Sequence, residues 1–141
     1  MPRFLPHLAA ACTLALLALT SPASAKDRVL FQWAEGDSMG QLVMTIHANN
    51  LLDAVGQDNV ELEIITYGPA VFAVTTTRPQ TKFADRIKKL TERGVQFRVC
   101  HNAMNILGVK DGELLPIVST VPSAMGEIIK RHDEGWQILK P

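Results

Sequence analysis

Short apolar segments rich in β-branched and aromatic residues alternate with helix-forming segments along most of this chain. Five of them predict strands, at residues 29–33, 60–67, 95–100, 117–121 and 136–139. Their apolar residues run almost without interruption, which is typical of parallel strands that are buried on both faces. Parallel neighbours need right-handed crossover connections, usually helical. The order therefore predicts an α/β protein, a three-layer α/β/α sandwich with a mostly parallel sheet of about five strands.

The segments between the strands carry the start and stop signals of helices. Asp37 or Ser38 caps a first helix, whose apolar residues recur at three- and four-residue spacing until Gly56. The other predicted helices are a short apolar one that opens at Pro69, and helices at residues 81–93, 102–107 and 122–134. Short loops join all of these elements, so the pattern indicates one domain.

The first 25 residues predict a secretory signal peptide. Arg3 supplies a basic start, an apolar run covers residues 8–19, and small residues stand at 23–25. The apolar run is shorter than the roughly 20 residues that span a bilayer as a helix, so a retained anchor is the weaker interpretation. We expect a signal peptide at 1–25, an α/β domain at 26–141, a periplasmic location and no membrane contact after cleavage.

The charge balance and the motifs exclude several classes of function. The chain carries 14 Lys and Arg residues against 14 Asp and Glu residues, without a basic stripe, which disfavours nucleic acid as a partner. Cys100 and the histidines do not have the spacing of a zinc site. The turn at residues 36–38 lacks the glycine pattern of a phosphate-binding loop. We therefore expect neither a metal nor a cofactor.

Cys100 is the only thiol that remains after removal of the signal peptide, because Cys12 lies within it. It stands at the carboxyl end of the third predicted strand and before a short helix. Ligands of open α/β sheets bind at that edge, and a helix start stabilises an anion such as a thiolate. Cysteine is also a frequent core residue, so the residues alone leave open whether Cys100 is reactive or structural.

Other candidate residues share this edge. The predicted binding rim consists of Glu35, Tyr67, Gly68, Asn102 and Met104. His101 is a weaker candidate for moving a proton, since adjacent residues of a strand point to opposite faces. Met104 follows Cys100 by four residues and is a candidate wall of a thiol pocket.

Five stretches of the chain resemble one known family. They are VLFQW, NNLLDAVG, DNVELEIITYGP, RIKKLTERGVQFRVCHNAM and LLPIVSTVPSAMGEIIKRHDEGWQILKP. Together they resemble the DsrE-like family, and they look closest to its small single-domain members related to intracellular sulfur oxidation proteins. The resemblance runs from about Arg28 to Pro141, and its most specific part is residues 94–104.

The resemblance implies a parallel-sheet α/β/α sandwich that assembles as a homo-oligomer. In the sulfur-relay members a cysteine carries sulfur as a persulfide and passes it to a partner, and Cys100 is the residue here that fits this role. This chain departs from those cytoplasmic members in its export signal. The first hypothesis is therefore an exported sulfur carrier that meets a donor or acceptor protein or a small sulfur compound. The alternatives are a non-catalytic binding or assembly module with Cys100 inert, and a redox sensor that dimerises through Cys100.

Overall fold

The fold is built on a single sheet of five parallel strands. The computed structural model describes residues 25–77 and 81–141, so the predicted signal peptide lies outside the described residues except for Ala25. The strands are β1 (Asp27–Trp33), β2 (Val60–Thr66), β3 (Gln96–Cys100), β4 (Val118–Val121) and β5 (Gln137–Leu139). They are arranged in the order β4-β3-β2-β1-β5, and every neighbouring pair is parallel. The predicted α/β fold is confirmed.

Four α-helices and two short 3₁₀ helices connect the strands. The α-helices are α1 (Ser38–Val55), α2 (Thr81–Glu92), α3 (His101–Leu107) and α4 (Ala124–Asp133). The apolar segment after β2 is a 3₁₀ helix (Gly68–Val74), and a single 3₁₀ turn (Asp111–Glu113) precedes β4. Helix α3 begins one residue earlier than predicted, because Cys100 itself occupies the N-cap position.

The side chains of the strands alternate between two faces of the sheet. On the first face, Val29, Phe31 and Trp33 of β1 join the main core under α1, α2 and the 3₁₀ helix. On the second face, the buried residues form a smaller core: Leu30, Ile65, Cys100, Val121, Ala124 and Trp136. Because α4 supplies Ala124 to this smaller core, it forms the third layer of the sandwich.

A buried ion pair lies beside the smaller core. Glu63, in the middle of β2, is fully buried on the face that α4 covers, and Arg131 Nη2 of α4 lies 2.7 Å from its Oε2. Arg98 Nε of β3 lies 3.6 Å from the same oxygen. The Arg131 guanidinium also lies 4.7 Å from the centre of the Trp136 ring. A charged helix residue thus fixes α4 over the central strand.

The connections after β3 and β4 leave the sheet on opposite faces. Helix α3 places Met104 in the main core of the first face, whereas α4 places Ala124 in the core of the second face. Two neighbouring parallel strands whose connections diverge leave a crevice at their carboxyl ends, where α/β proteins bind ligands. Within the described residues, no helix is long and apolar enough to cross a membrane.

Candidate functional site

A cavity of about 460 Å³ occupies this crevice. Its walls come from three segments that meet at the carboxyl edge of the sheet. The first comprises Tyr67, Gly68 and Pro69 after β2, the second Asn102, Ala103, Ile106 and Leu107 of α3, and the third Ser123, Ala124 and Met125 at the start of α4. Cys100 completes the wall, and we call this space the thiol cavity.

The Cys100 sulfur is held between the starts of two helices. Cys100 is the N-cap residue of α3, and its Sγ accepts a hydrogen bond from the backbone N–H of Ala124, at 3.3 Å. Ser123 caps α4, since its side chain accepts from the backbone N–H of Gly126. The N–H groups at a helix start carry partial positive charge, and the one on Ala124 points at the sulfur. The residue as a whole is buried, with 6% of its surface exposed.

Three of the predicted rim residues line the thiol cavity together with Cys100. Tyr67 and Gly68 approach it from the end of β2, and Asn102 approaches it from the first turn of α3. The Tyr67 hydroxyl donates a hydrogen bond to Gln32 Oε1 of β1, at 3.3 Å, and this bond orients the ring. The carboxyl ends of β2 and β3 thus lie together, as parallel pairing requires.

Glu35 and His101 lie near this edge but do not line the cavity. The Glu35 carboxylate accepts a hydrogen bond from the backbone N–H of Ala34, at 3.1 Å, and lies 3.3 Å from Lys140 Nζ. Burial raises the pKa of Glu35, but hydrogen bonds from backbone N–H groups and from Lys140 outweigh it, so that the pKa is lowered. His101 is exposed, and its Nδ1 lies 3.4 Å from Asn105 Nδ2.

Met104 is also absent from the cavity wall. It is 1% exposed and packs in the main core on the first face of the sheet. The four-residue spacing from Cys100 would bring the two side chains together only if both lay in one helix. Cys100 instead caps the helix and turns its sulfur to the second face.

The remaining wall residues were absent from the predicted rim. The rule that ligands bind at the carboxyl ends of strands places Pro69 and Ser123 at this edge from sequence, and Ala124 is the next residue after Ser123. Ile106 and Met125 carried no such signal, because an apolar residue of an amphipathic helix reads as core. Both are largely exposed at the mouth of the cavity, with 85% and 52% of their surfaces accessible.

Among the described residues, cavities also lie away from this edge. One of about 480 Å³ adjoins the amino ends of the strands, near Lys26, Glu92 and Arg93. The other, of about 640 Å³, lies between α1 and α2 and includes Phe83. Neither contains a cysteine, and in the part of the chain that is described no group of three His, Cys, Asp or Glu residues is arranged to hold a metal. The thiol cavity is therefore the candidate site.

The chain is thus a parallel-sheet α/β protein with a cysteine at the carboxyl edge of the sheet. The model of the DsrE/DsrF-like family matches residues 27–141. The chain therefore belongs to the DsrE/DsrF-like family. A search of the curated proteins found no match.

Three solved structures share the fold. The chain is similar to the protein of unknown function MTH1491 from Methanobacterium thermoautotrophicum, at 28% identity and a TM-score of 0.75, over 82% of this chain and 100% of that one. The ychN protein from E. coli is 16% identical with a TM-score of 0.62, over 83% and 99% of the two chains. The protein of unknown function BT1422 from Bacteroides thetaiotaomicron is 17% identical with a TM-score of 0.60, over 82% and 95%. At these identities the last two show the fold alone.

Proposed function

We propose that this chain is an exported thiol protein that accepts sulfane sulfur on Cys100 and passes it to an acceptor. The observation that carries the proposal is the position of the Cys100 sulfur, in the wall of a cavity at the carboxyl edge of the sheet and under the Ala124 N–H. Membership of the DsrE/DsrF-like family supports it. The signal-like residues 1–25 support export, with Lys26 as the first residue of the mature chain.

The chemistry needs the Cys100 thiol, a sulfur donor and an acceptor thiol. The Cys100 thiol loses its proton to water, and the thiolate attacks the sulfane sulfur of the donor. A bond forms between Sγ and that sulfur, while the sulfur–sulfur or sulfur–carrier bond of the donor breaks and the donor keeps the electron pair. In the second step an acceptor thiolate attacks the outer sulfur and Cys100 leaves as a thiolate. The Ala124 N–H lies where it stabilises the anion in both steps.

The first prediction concerns the mass of the protein after exposure to sulfane sulfur, supplied as inorganic polysulfide and, separately, as dissolved ring sulfur. We expect adducts of one or more sulfur atoms, about 32 Da each, that a reducing agent removes. Cys100→Ser abolishes the adducts, whereas His101→Ala retains them, because the His101 ring is exposed and lies outside the thiol cavity. Intact-protein mass spectrometry measures both. The mass of the protein purified from a periplasmic extract also shows whether the mature chain begins at Lys26. A wild-type thiol that neither donor modifies contradicts the sulfur-carrier role.

A second candidate function is a binding or assembly module in which Cys100 is inert. The burial of Cys100, of which 6% is exposed, favours it. Labelling by a small thiol reagent at neutral pH separates the two functions. Reaction of the native protein supports the sulfur carrier, and reaction only after denaturation supports the inert module.

The resemblance adds the proposal that copies of the chain form a homo-oligomer. Light scattering of the purified protein tests it, and a molar mass equal to that of one chain contradicts it.

A further inference from the structure

The described residues that line the thiol cavity include no charged side chain. The polar groups of its wall are one amide, on Asn102, and hydroxyl or thiol groups, on Tyr67, Ser123 and Cys100. The rest of the wall is apolar, and Ile106 and Met125 form part of its mouth. The cavity thus differs from a site that binds inorganic anions, which uses cations or several free backbone N–H groups.

Glu35, Lys140 and His101, on neighbouring segments, do not line the cavity. Glu35 and Lys140 pair with each other at 3.3 Å, and the His101 ring is exposed beside Asn105. The Ala124 N–H, at the start of α4, is already bonded to the Cys100 sulfur. An anion that entered the cavity would lose its water without gaining a counter-ion, which is costly, whereas an apolar molecule would gain by leaving water.

We propose that the sulfur donor of this site is an uncharged, apolar sulfane-sulfur compound, an organic polysulfide or ring sulfur, and that inorganic anions such as thiosulfate are poor donors. The inference rests on the proposed sulfur-carrier function and names the substrate class of the same site. The uncharged lining determines which donor enters the cavity.

The reaction with such a donor balances without an external oxidant. The Cys100 thiolate attacks one sulfur of a dialkyl trisulfide, a bond forms between the two sulfurs, and the adjacent sulfur–sulfur bond breaks. Attack at the central sulfur leaves the sulfane sulfur on Cys100, and the other fragment departs with the electron pair as a thiolate and takes a proton from water. With ring sulfur the leaving atom stays attached and becomes the anionic end of the opened chain.

Three trisulfides with the same central sulfur chain and different ends separate charge from reactivity. The ends are propyl, 2-carboxyethyl and 2-aminoethyl groups, so that the donors are neutral, anionic and cationic. Mass spectrometry follows the loss of unmodified Cys100 in the folded protein, with Cys100→Ser as the blank. Each rate is divided by the rate for a peptide of residues 96–103, which contains the same cysteine without the cavity. We expect this relative rate to be about tenfold or more higher for the neutral donor than for the anionic donor.

If the uncharged lining causes the preference for the neutral donor, a positive charge at the mouth of the cavity should reverse that preference. Ile106→Lys brings a cation to the wall at a position that is 85% exposed, so the fold tolerates it. It should raise the rate with the anionic trisulfide and lower the rate with the neutral one. Ile129→Lys adds the same charge on α4, at a 62% exposed position outside the wall, and should change neither rate.

The outcomes distinguish this inference from the function on which it rests. If the folded protein reacts with the neutral and the anionic trisulfide at equal relative rates, the substrate class is wrong and the sulfur carrier stands. If none of the trisulfides modifies the folded protein while all modify the peptide, the sulfur-carrier function itself is wrong for small donors, and the inference falls with it.

Discussion

At the scale of single residues, Glu63 shows how burial changes the meaning of a charged residue. The alternation in VELEIIT indicates one polar side of β2, and Glu63 is on that side, yet the structure covers it completely with α4. Its carboxylate pairs with Arg131 at 2.7 Å, and Arg131 also meets Glu127 at 3.0 Å and Glu134 at 2.9 Å. Burial lowers the pKa of Arg131, but the hydrogen bonds with Glu63 and Glu134 outweigh it, so that the pKa is raised. Arg131 therefore stays charged.

Removal of one partner from this buried pair should destabilise the protein strongly. Arg131→Met leaves the Glu63 carboxylate buried beside Arg98 alone, and we expect a loss of about 3–5 kcal/mol in the free energy of unfolding. The double variant Glu63→Leu with Arg131→Met removes both charges and should lose much less. Urea unfolding measures these free energies.

An exposed ion pair supplies the control for that experiment. Arg93 and Asp53 lie 2.6 Å apart, but their side chains are 27% and 68% exposed. Arg93→Met should therefore cost about 1 kcal/mol or less. If Arg131→Met costs no more than Arg93→Met, the buried pair does not hold α4 on the sheet.

At the scale of elements, the sequence predicted helix starts better than it predicted contacts between loops. Of the two predicted caps of α1, Asp37 is the one used, since its side chain accepts from the backbone N–H of Gly40, at 2.8 Å. The loop before this cap has a second role that the sequence did not indicate. A Cβ atom at Gly36 would lie 2.5 Å from Pro69 Cβ and 2.7 Å from the Pro69 carbonyl oxygen. The loop after β1 thus packs directly against the segment that forms one wall of the thiol cavity.

A methyl group at Gly36 should disturb both the fold and the cavity. Gly36→Ala pushes against the backbone of Pro69, which cannot move as a flexible side chain does, and we expect a loss of about 1–3 kcal/mol in stability. Because Pro69 and Gly68 line the thiol cavity, the rate of labelling of Cys100 should change as well.

The matched control for this substitution is another glycine in open space. A Cβ atom at Gly112 would have no neighbour within 4 Å, so Gly112→Ala should change neither the stability nor the labelling rate by a measurable amount. Thermal unfolding and the labelling assay compare the two variants. Equal behaviour of Gly36→Ala and Gly112→Ala would contradict the close contact with Pro69.

At the scale of the whole molecule, two carboxylates link stability to pH. The hydrogen bond from Arg131 is the largest influence on Glu134 and lowers its pKa below 4.5. For Glu35, burial is the largest influence and raises the pKa. The hydrogen bonds together outweigh burial, so that the pKa of Glu35 is also below 4.5. A lowered folded-state pKa means that the stabilisation is complete above 4.5 and is lost as the pH falls through the folded-state values.

The pH dependence gives a prediction for the intact protein. Between about pH 5 and pH 3 the wild type should lose more stability than Glu134→Gln, because the variant has no proton to bind at that position. Urea unfolding across this range measures the difference, and added salt should reduce it, since Glu134 is exposed. Parallel curves for the two proteins would show that the interaction with Arg131 does not survive in solution.

The sequence by itself determined the fold and the edge of the sheet that carries the candidate site. Apolar continuity identified the strands, helix caps identified the connections, and the parallel order put the residues after β2 and β3 at one edge. These are local signals or direct consequences of chain order. For this reason Cys100, Tyr67, Gly68 and Asn102, which the sequence placed at this edge, meet at the cavity.

Only the tertiary structure decided which side of that edge each residue occupies. Met104 packs in the main core, and Glu35 pairs with Lys140. Ile106 and Met125 lie at the mouth of the cavity. Helix spacing cannot distinguish Met104 from Ile106 and Met125, because an apolar helix residue can pack against either face of the sheet. The path of the chain into the helix decides which face it meets. The chain turns at Cys100, which ends β3 and is the N-cap residue of α3, and the connection after β4 carries α4 to the opposite face.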